Sequence, residues 1–175
     1  MKEFYQTMRN EFEELYKSYR MNHFSMLFMH DKYYQVKREN EINQFEIYDQ
    51  ILEERVTYSE KDLDDCKEHG KYQIILAGTT ITSIYQLWED RFRSEIAKQT
   101  KLEKNAIKSD FFGDLRIVRQ AIVHNNSQPI SDLKNLKTLE FLGDENKLNL
   151  SSAAMNQVYL CLSKEIDRLE YVFSA

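Results

Sequence analysis

The residues best suited to chemistry lie in one short segment, 113–126, with the sequence Gly-Asp-Leu-Arg-Ile-Val-Arg-Gln-Ala-Ile-Val-His-Asn-Asn. Histidine exchanges protons near neutral pH, so it can act as a general acid or base. Arginine can bind a phosphate and stabilise the negative charge that develops on its oxygens. The polar side chains of the segment are Asp114, Arg116, Arg119, Gln120, His124, Asn125 and Asn126.

The spacing of these residues predicts a polar edge on a helix. Arg119 and His124 are five residues apart, which in an ideal helix is about 140° of rotation and about 7.5 Å of rise. We therefore expect them to converge only if Arg119 extends and the helix ends or loosens at His124. Gln120 lies four residues before His124 and shares its face, and Arg116 lies one turn further back. The predicted edge is Arg116, Gln120 and His124, with Arg119 beside it.

The neighbouring residues predict how this helix begins, ends and packs. Ser109-Asp110 is typical of a helix N-terminus, where a hydroxyl caps the first backbone amides. Asn125-Asn126, followed by Gln128-Pro129, predicts an end after His124, because asparagine tolerates a positive φ. An apolar side to hold the helix against a bundle is predicted from Leu115, Val118, Ala121 and Ile122.

An arginine, four residues, a histidine and an asparagine, on a predicted helix of an all-α chain, resemble the hallmark of the HEPN superfamily. Here these residues are Arg119, His124 and Asn125. The longer string from Gly113 to Asn126 is similar to bacterial HEPN-like proteins, and 87–93 (Leu-Trp-Glu-Asp-Arg-Phe-Arg) resembles a helix of some members. The resemblance covers roughly 72–173. Many active members carry Asn directly after the arginine, whereas this chain has Gln120.

The resemblance implies metal-independent endoribonuclease activity, with no cofactor and no metal. The ribose 2′-OH would attack the adjacent phosphodiester, leaving 2′,3′-cyclic phosphate and 5′-OH ends. Arg119 and His124 would be catalytic. Supporting contacts to RNA would come from Asp114, Arg116, Gln120, Asn125 and Asn126.

The resemblance also implies partners. HEPN proteins usually form homodimers in which two Arg-x4-His motifs face one cleft, so that Arg119 of one chain would serve His124 of the other. A prokaryotic defence or toxin–antitoxin role would add an antitoxin partner, such as a nucleotidyltransferase. Two alternatives stay open. One is a non-catalytic HEPN-like module that binds RNA or a protein, and the other is a structural helical dimer with a docking arm at its N-terminus.

Composition limits the fold class. The 175 residues are 42% hydrophobic and 13% aromatic, but contain only four glycines and one proline, which favours long helices over sandwiches, barrels and wound α/β folds. The net charge of −5 excludes a chain that is basic throughout, although 91–119 holds eight basic and four acidic residues. No glycine-rich phosphate loop and no nucleophile elbow occurs in the sequence.

The remaining candidates for metal or membrane binding are weak. Cys66 and His69 form a pair without a second pair at zinc-site spacing, and Met21 to His30 is better explained by core packing than by copper. The longest uncharged run, 72–88, is too short and too polar to span a membrane. Two cysteines and no apolar leader favour reduced thiols in the cytoplasm, with no membrane partner.

Helical periodicity predicts an all-α, HEPN-like bundle in one domain, 1–175, with an N-terminal helical region (1–58) and a motif-bearing bundle (59–175). The first helix should cover Phe4 to Tyr19. We predict one long helix, or two with a break near Asn40, from Phe24 to about Arg55. A third helix should begin at Ser59 and break at Gly70. Further helices should cover 72–98 and run from Ser109 to about His124, and the last helix should end near Phe173. A small β-hairpin is predicted within 137–150.

Overall fold

The computed structural model describes residues 1–40, 42 and 44–174. In these residues the α-helices are α1 (Lys2–Glu39), α2 (Glu60–Asp64), α3 (Lys71–Leu87), α4 (Arg93–Thr100), α5 (Asp110–His124) and α6 (Ser152–Phe173). The strands are β1 (Gln44–Asp49), β2 (Glu54–Ser59), β3 (Gly143–Asp144) and β4 (Lys147–Leu148). A π-helical segment (Trp88–Phe92) joins α3 to α4, and 3-10 turns occur at Lys104–Ala106, Ser131–Asn135 and Glu140–Leu142.

The core lies between α1, α3, α5 and α6, which confirms a mainly helical fold with a small hairpin. Buried side chains of α1 occur at helical spacing, including Tyr5, Met8 and Phe12. The Tyr5 hydroxyl donates to the Leu169 carbonyl oxygen at 3.2 Å and so joins α1 to α6. Burial raises the pKa of Tyr5 to about 12, and the negative charge of Glu170 adds to this effect. The hydroxyl therefore stays a neutral donor.

The predicted helix over 24–55 is wrong in its second half. The helix α1 continues to Glu39, and the break near Asn40 is confirmed, but β1 and β2 then form an antiparallel hairpin. Aromatic and β-branched side chains alternate with polar ones along both strands, a pattern of period two that favours strands. The paired positions on this apolar face are Phe45 with Tyr58 and Ile47 with Val56.

The turn of this hairpin lacks the glycine that usually marks one in a sequence. The Asp49 carboxylate instead accepts hydrogen bonds from the amides of Ile51 and Leu52, at 2.8 and 3.1 Å. Glu53 adopts a positive φ of 53°. A carboxylate therefore shapes the turn in place of a glycine, and the hairpin was missed for that reason.

The helix starts after the hairpin agree with the sequence. Ser59 and Asp62 form a capping box, in which the serine hydroxyl accepts from the Asp62 amide and the Asp62 carboxylate accepts from the Ser59 amide. The helix α2 is shorter than expected, because it ends at Asp64 and not at Gly70, and Gly70 is the N-cap of α3. A Cβ at Gly70 would lie 2.3 Å from the Asp65 carbonyl oxygen, so a larger residue cannot fit without moving the backbone.

The hairpin before α6 is shorter than predicted. Its strands are confined to Gly143–Asp144 and Lys147–Leu148, whereas the expected first strand is a 3-10 turn at Glu140–Leu142. Leu139 and Leu142 are both fully buried. Because they are three residues apart, a helical turn buries both, whereas an extended strand would point them to opposite faces.

The helices α3 and α5 approach each other closely at Gly78. A Cβ at this position would lie 3.1 Å from Ile122 Cγ2. The small residue thus sets the distance between α5 and the rest of the core. Within the described residues, no helix is both long and apolar enough to cross a membrane.

We predict opposite effects for substitutions at two glycines that bear on α5. Gly78→Leu should lower the free energy of unfolding by about 1–3 kcal/mol, because the added atoms overpack the contact with Ile122. Gly113→Ala should raise it by about 0.5–1 kcal/mol, because the site is helical and open; a Cβ there meets nothing within 4 Å. Urea denaturation of both variants tests the prediction, and equal effects at the two sites would contradict it.

Candidate functional site

The helix α5 has the limits that the sequence predicts. At its start the Ser109 hydroxyl accepts from the Phe112 amide at 3.1 Å. At its end the helix stops at His124, and Asn126 and Ser127 take positive φ values of 52° and 60°. The Ser127 amide then donates to the Ala121 carbonyl oxygen at 3.0 Å, closing the last turn.

The buried side of α5 fixes which residues face outward. The side chains of Phe111, Phe112, Leu115, Val118 and Ala121 are buried, while Ile122 is half-buried. The Phe112 ring is parallel to Trp88, with the two ring centroids 4.1 Å apart. The predicted apolar side is therefore present, and Arg116, Gln120 and His124 follow one another on the opposite side.

Asp114 does not lie with the other polar side chains on the exposed edge of α5, and this corrects its expected place. It is only 3% exposed. One of its carboxylate oxygens accepts from the backbone amides of Lys137, Thr138 and Leu139 at 2.6–3.0 Å, and from the Thr138 hydroxyl at 2.9 Å. Four donors thus hold this carboxylate oxygen inside the protein, which gives Asp114 a structural role that the sequence did not predict. It fastens the loop before the second hairpin to α5.

Arg119 and His124 occupy different surroundings. The Arg119 guanidinium lies 5.8 Å from the centroid of the Tyr85 ring and is half-buried. His124 is exposed at the open end of α5, and no hydrogen bond to its imidazole is found among the described residues. Nor does a hydrogen bond join Arg119 to His124 in the described part of the chain. The helix does end at His124, which was one of the two conditions for their convergence.

The two asparagines after His124 also differ in role. Asn125 uses its amide nitrogen to donate to the carbonyl oxygens of Gln128 and Pro129, at 3.2 and 3.1 Å. It thus holds the loop that leaves the helix. Asn126 is exposed and adopts the left-handed conformation. Both asparagines shape the end of α5 next to His124.

Two hollows flank Arg116. One, of about 510 Å³, lies between the π-helical segment and the start of α5, and its lining includes Tyr85, Lys108 and Arg116. The other, of about 440 Å³, lies between α5 and the loop over 131–137, and its lining includes Gln120 and Lys137. Arg116 therefore stands on a ridge with a depression on each side. The sequence alone did not reveal Tyr85, which is far from the motif in the chain, whereas Lys108 belongs to the basic stretch 91–119.

Part of the positive charge of 91–119 is neutralised within the chain. The Glu89 carboxylate forms ion pairs with the Arg93 guanidinium at 2.9 Å and the Lys104 ammonium at 3.0 Å. Other pairs engage Arg91 and Lys98. Among the described residues, the basic side chains of this region without a salt bridge are Lys101, Lys108, Arg116 and Arg119. Of these four, Lys108 and Arg116 line the hollow near Tyr85, and Arg119 lies over the Tyr85 ring.

Comparisons with protein-family models, with curated proteins and with solved structures find no match for this chain. Over the described residues, no group of three or more His, Cys, Asp or Glu side chains is placed to hold a metal ion. The geometry of α5 and its surroundings therefore carries the functional interpretation.

We predict that Asp114→Ala lowers the free energy of unfolding by about 2–4 kcal/mol, because several buried donors lose their acceptor. Asp110→Ala is the matched control, since Asp110 pairs with the exposed Lys137 ammonium and should have a much smaller effect. Chemical denaturation measures both. An equal loss in the two variants would show that the buried carboxylate has no special role.

The pair of cations around Glu89 predicts a dependence of stability on pH. Burial raises the pKa of Glu89, but hydrogen bonds from Arg93 and Lys104 outweigh it, so the pKa lies below its ordinary value of 4.5. A lowered pKa stabilises the fold above about pH 4.5, and this contribution is lost as the pH falls through the folded value. The stability difference between the wild type and Glu89→Gln should thus shrink as the pH drops below 4.5. Denaturation curves at several pH values test this, and a constant difference would contradict it.

Proposed function

We propose that the polar edge of α5 is the active site of a metal-independent endoribonuclease of HEPN type. One observation carries the proposal: α5 ends at His124, so the imidazole is exposed at an open helix end, on the side that also presents Arg116 and Gln120. Arg119 lies beside this edge, over Tyr85. A phosphodiester lying along the edge would meet cationic donors and a proton-transfer group.

The chemistry follows from these groups. The 2′-oxygen of the ribose loses its proton and bonds to the phosphorus, while the bond to the 5′-oxygen breaks. This oxygen leaves with a proton, and the products carry 2′,3′-cyclic phosphate and 5′-OH ends. His124 exchanges a proton at one of these two oxygens. The guanidinium of Arg119 binds the non-bridging oxygens and stabilises their growing charge, with Arg116 as a further phosphate contact.

The separation of Arg119 and His124 favours a site made by two copies. Within one chain their side chains share no hydrogen bond among the described residues, and Arg119 is held against Tyr85. In a homodimer with two α5 edges face to face, Arg119 of one copy serves the phosphate beside His124 of the other. A cytoplasmic defence or toxin–antitoxin role belongs to the same proposal. The antitoxin, such as a nucleotidyltransferase, would then act by covering this edge.

We predict cleavage of mixed RNA by the wild-type protein in EDTA, with cyclic phosphate ends on the products. His124→Ala should reduce the rate by about 10²–10⁴-fold, because proton transfer is lost. Arg119→Ala should reduce it by about 10²–10³-fold, because charge stabilisation is lost. His69→Asn and Lys101→Ala are matched controls, since these exposed side chains belong to segments outside α5. End-group analysis and time courses provide the measurement.

The same variants test whether two copies share the site. A mixture of the Arg119→Ala and His124→Ala proteins restores one intact pair in a shared cleft, so part of the activity should return. If mixing has no effect while each variant is inactive, the pair acts within one chain. If the folded wild type leaves RNA intact, the nuclease proposal fails.

The second candidate is a non-catalytic module that binds RNA or a protein through the same edge. The contact of Arg119 with Tyr85 favours it, because this guanidinium is engaged by an aromatic ring of its own chain. Binding of RNA without cleavage, weakened by Arg116→Ala, would support this candidate. A cyclic phosphate product that depends on Arg119 would exclude it.

A further inference from the structure

The second half of α1 carries a row of large apolar side chains that the core does not cover. Met21, Phe24 and Phe28 are 71%, 52% and 69% exposed, so the core packing expected for Met21 is wrong. Their spacing of three and four residues places them on one face of the helix. We call this row the α1 stripe. Contiguous apolar surface of this kind marks an interaction site.

The stripe has opposite charges at its two ends. Lys17 lies seven residues before Phe24, and Asp31 lies seven residues after it. Seven residues are two helical turns, within about 20° of the same direction, so both charges lie on the face of the stripe. Both side chains are exposed. Arg20, between Lys17 and Phe24, places its guanidinium 4.8 Å from the Phe24 ring centroid.

The charges near the stripe have neighbours within the chain. Lys17 contacts the carboxylates of Glu13 and Glu14, at 3.0 and 3.1 Å. Asp31 contacts the imidazole of His30 at 2.9 Å. These are single-helix contacts at the surface, and they leave Lys17 and Asp31 more than half exposed. Each can therefore take a further partner across an interface.

The order of charged and apolar side chains along the α1 stripe is self-complementary when a second copy runs in the opposite direction. When two copies of α1 lie antiparallel with their Phe24 side chains together, positions equally far before and after Phe24 meet. Lys17 of each copy then faces Asp31 of the other, and Arg20 faces Phe28. Both ends of the contact carry an attractive pair, and between them lie the rings of Phe24 and Phe28 with the Arg20 guanidinium.

We propose that the α1 stripe is a self-association surface, on which a second copy of this chain lies antiparallel about a two-fold axis at Phe24. A helix of uniformly basic or acidic character would meet a like charge at one end of the stripe, whereas a second copy meets an opposite charge at both. The exposure of the stripe in the single chain and its self-complementary charges support a copy of the chain as the occupant.

This surface is separate from the α5 edge. The buried side of α1 packs on α3 and α6, and the stripe lies on its outer side. The proposal therefore stands whether or not the α5 edge cleaves RNA. With the α1 contact alone the protein is a dimer, and a second two-fold contact at α5 would join these dimers into a larger assembly.

The apolar part of the proposal is tested by mass. The molecular mass of the wild type, Phe24→Ser and Leu160→Ser is measured by light scattering and sedimentation at micromolar concentration. Phe24→Ser should halve the mass of the wild-type assembly. Leu160→Ser is the matched control, because Leu160 is equally exposed, at 52%, but lies on α6. Its mass should equal that of the wild type. A monomeric wild type, or an unchanged mass for Phe24→Ser, would overturn the proposal.

The charges provide a sharper test through mixing. Lys17→Glu alone and Asp31→Lys alone each place like charges at both ends, so each should weaken self-association by roughly tenfold or more. When the two variants are mixed, the two substituted side chains face each other with opposite charges at one end, and the original pair of Lys17 with Asp31 forms at the other. The mixture should therefore regain the wild-type mass. Failure of the mixture to associate would overturn the antiparallel arrangement. If the wild type and the α1 variants show the expected masses but the wild type does not cleave RNA, only the α5 proposal fails.

Discussion

The orientation of α5 about its own axis is the constraint on which the rest of the molecule depends. Phe112 fixes it by stacking on Trp88 and by lying 6.2 Å, ring centroid to ring centroid, from Phe12 of α1. Three elements distant in sequence thus meet at one aromatic ring. Because Phe112 faces inward, Arg116, Gln120 and His124 face outward. The polar edge is the reverse side of the core contact, so the packing of α5 also fixes the direction in which the candidate site faces.

A second link holds the chain that follows α5. The carboxylate of Asp114 gathers the amides at 137–139, and this brings Leu139 and Leu142 into the core before the chain enters α6. The anchoring explains how a segment with little regular structure keeps a defined path. It also closes one side of the hollow near Gln120. Asp114 therefore affects the candidate site through the shape of the loop.

Local signals in the sequence predicted much of this fold. The limits of α5 were predicted from Ser109 and the asparagines, and the capping box at Ser59 was also predicted. The hairpin of β1 and β2 was missed because Asp49, rather than a glycine, shapes its turn. The role of Asp114 and the contact of Arg119 with Tyr85 depend on residues far apart in the chain. No local pattern encodes such contacts, so only the three-dimensional structure reveals them.

The β1–β2 hairpin has a consequence for aggregation. Two strands alone leave both outer edges with unpaired backbone groups, and such edges invite pairing with other chains. Ile51, at the turn, is 92% exposed. Acidic side chains predominate in the hairpin, at Glu46, Asp49, Glu53 and Glu54, against the single basic residue Arg55. Two such hairpins that approach edge to edge bring like charges together, so the acidic residues oppose growth of a sheet from one molecule to the next. The hairpin can thus expose apolar side chains and still resist the formation of fibres.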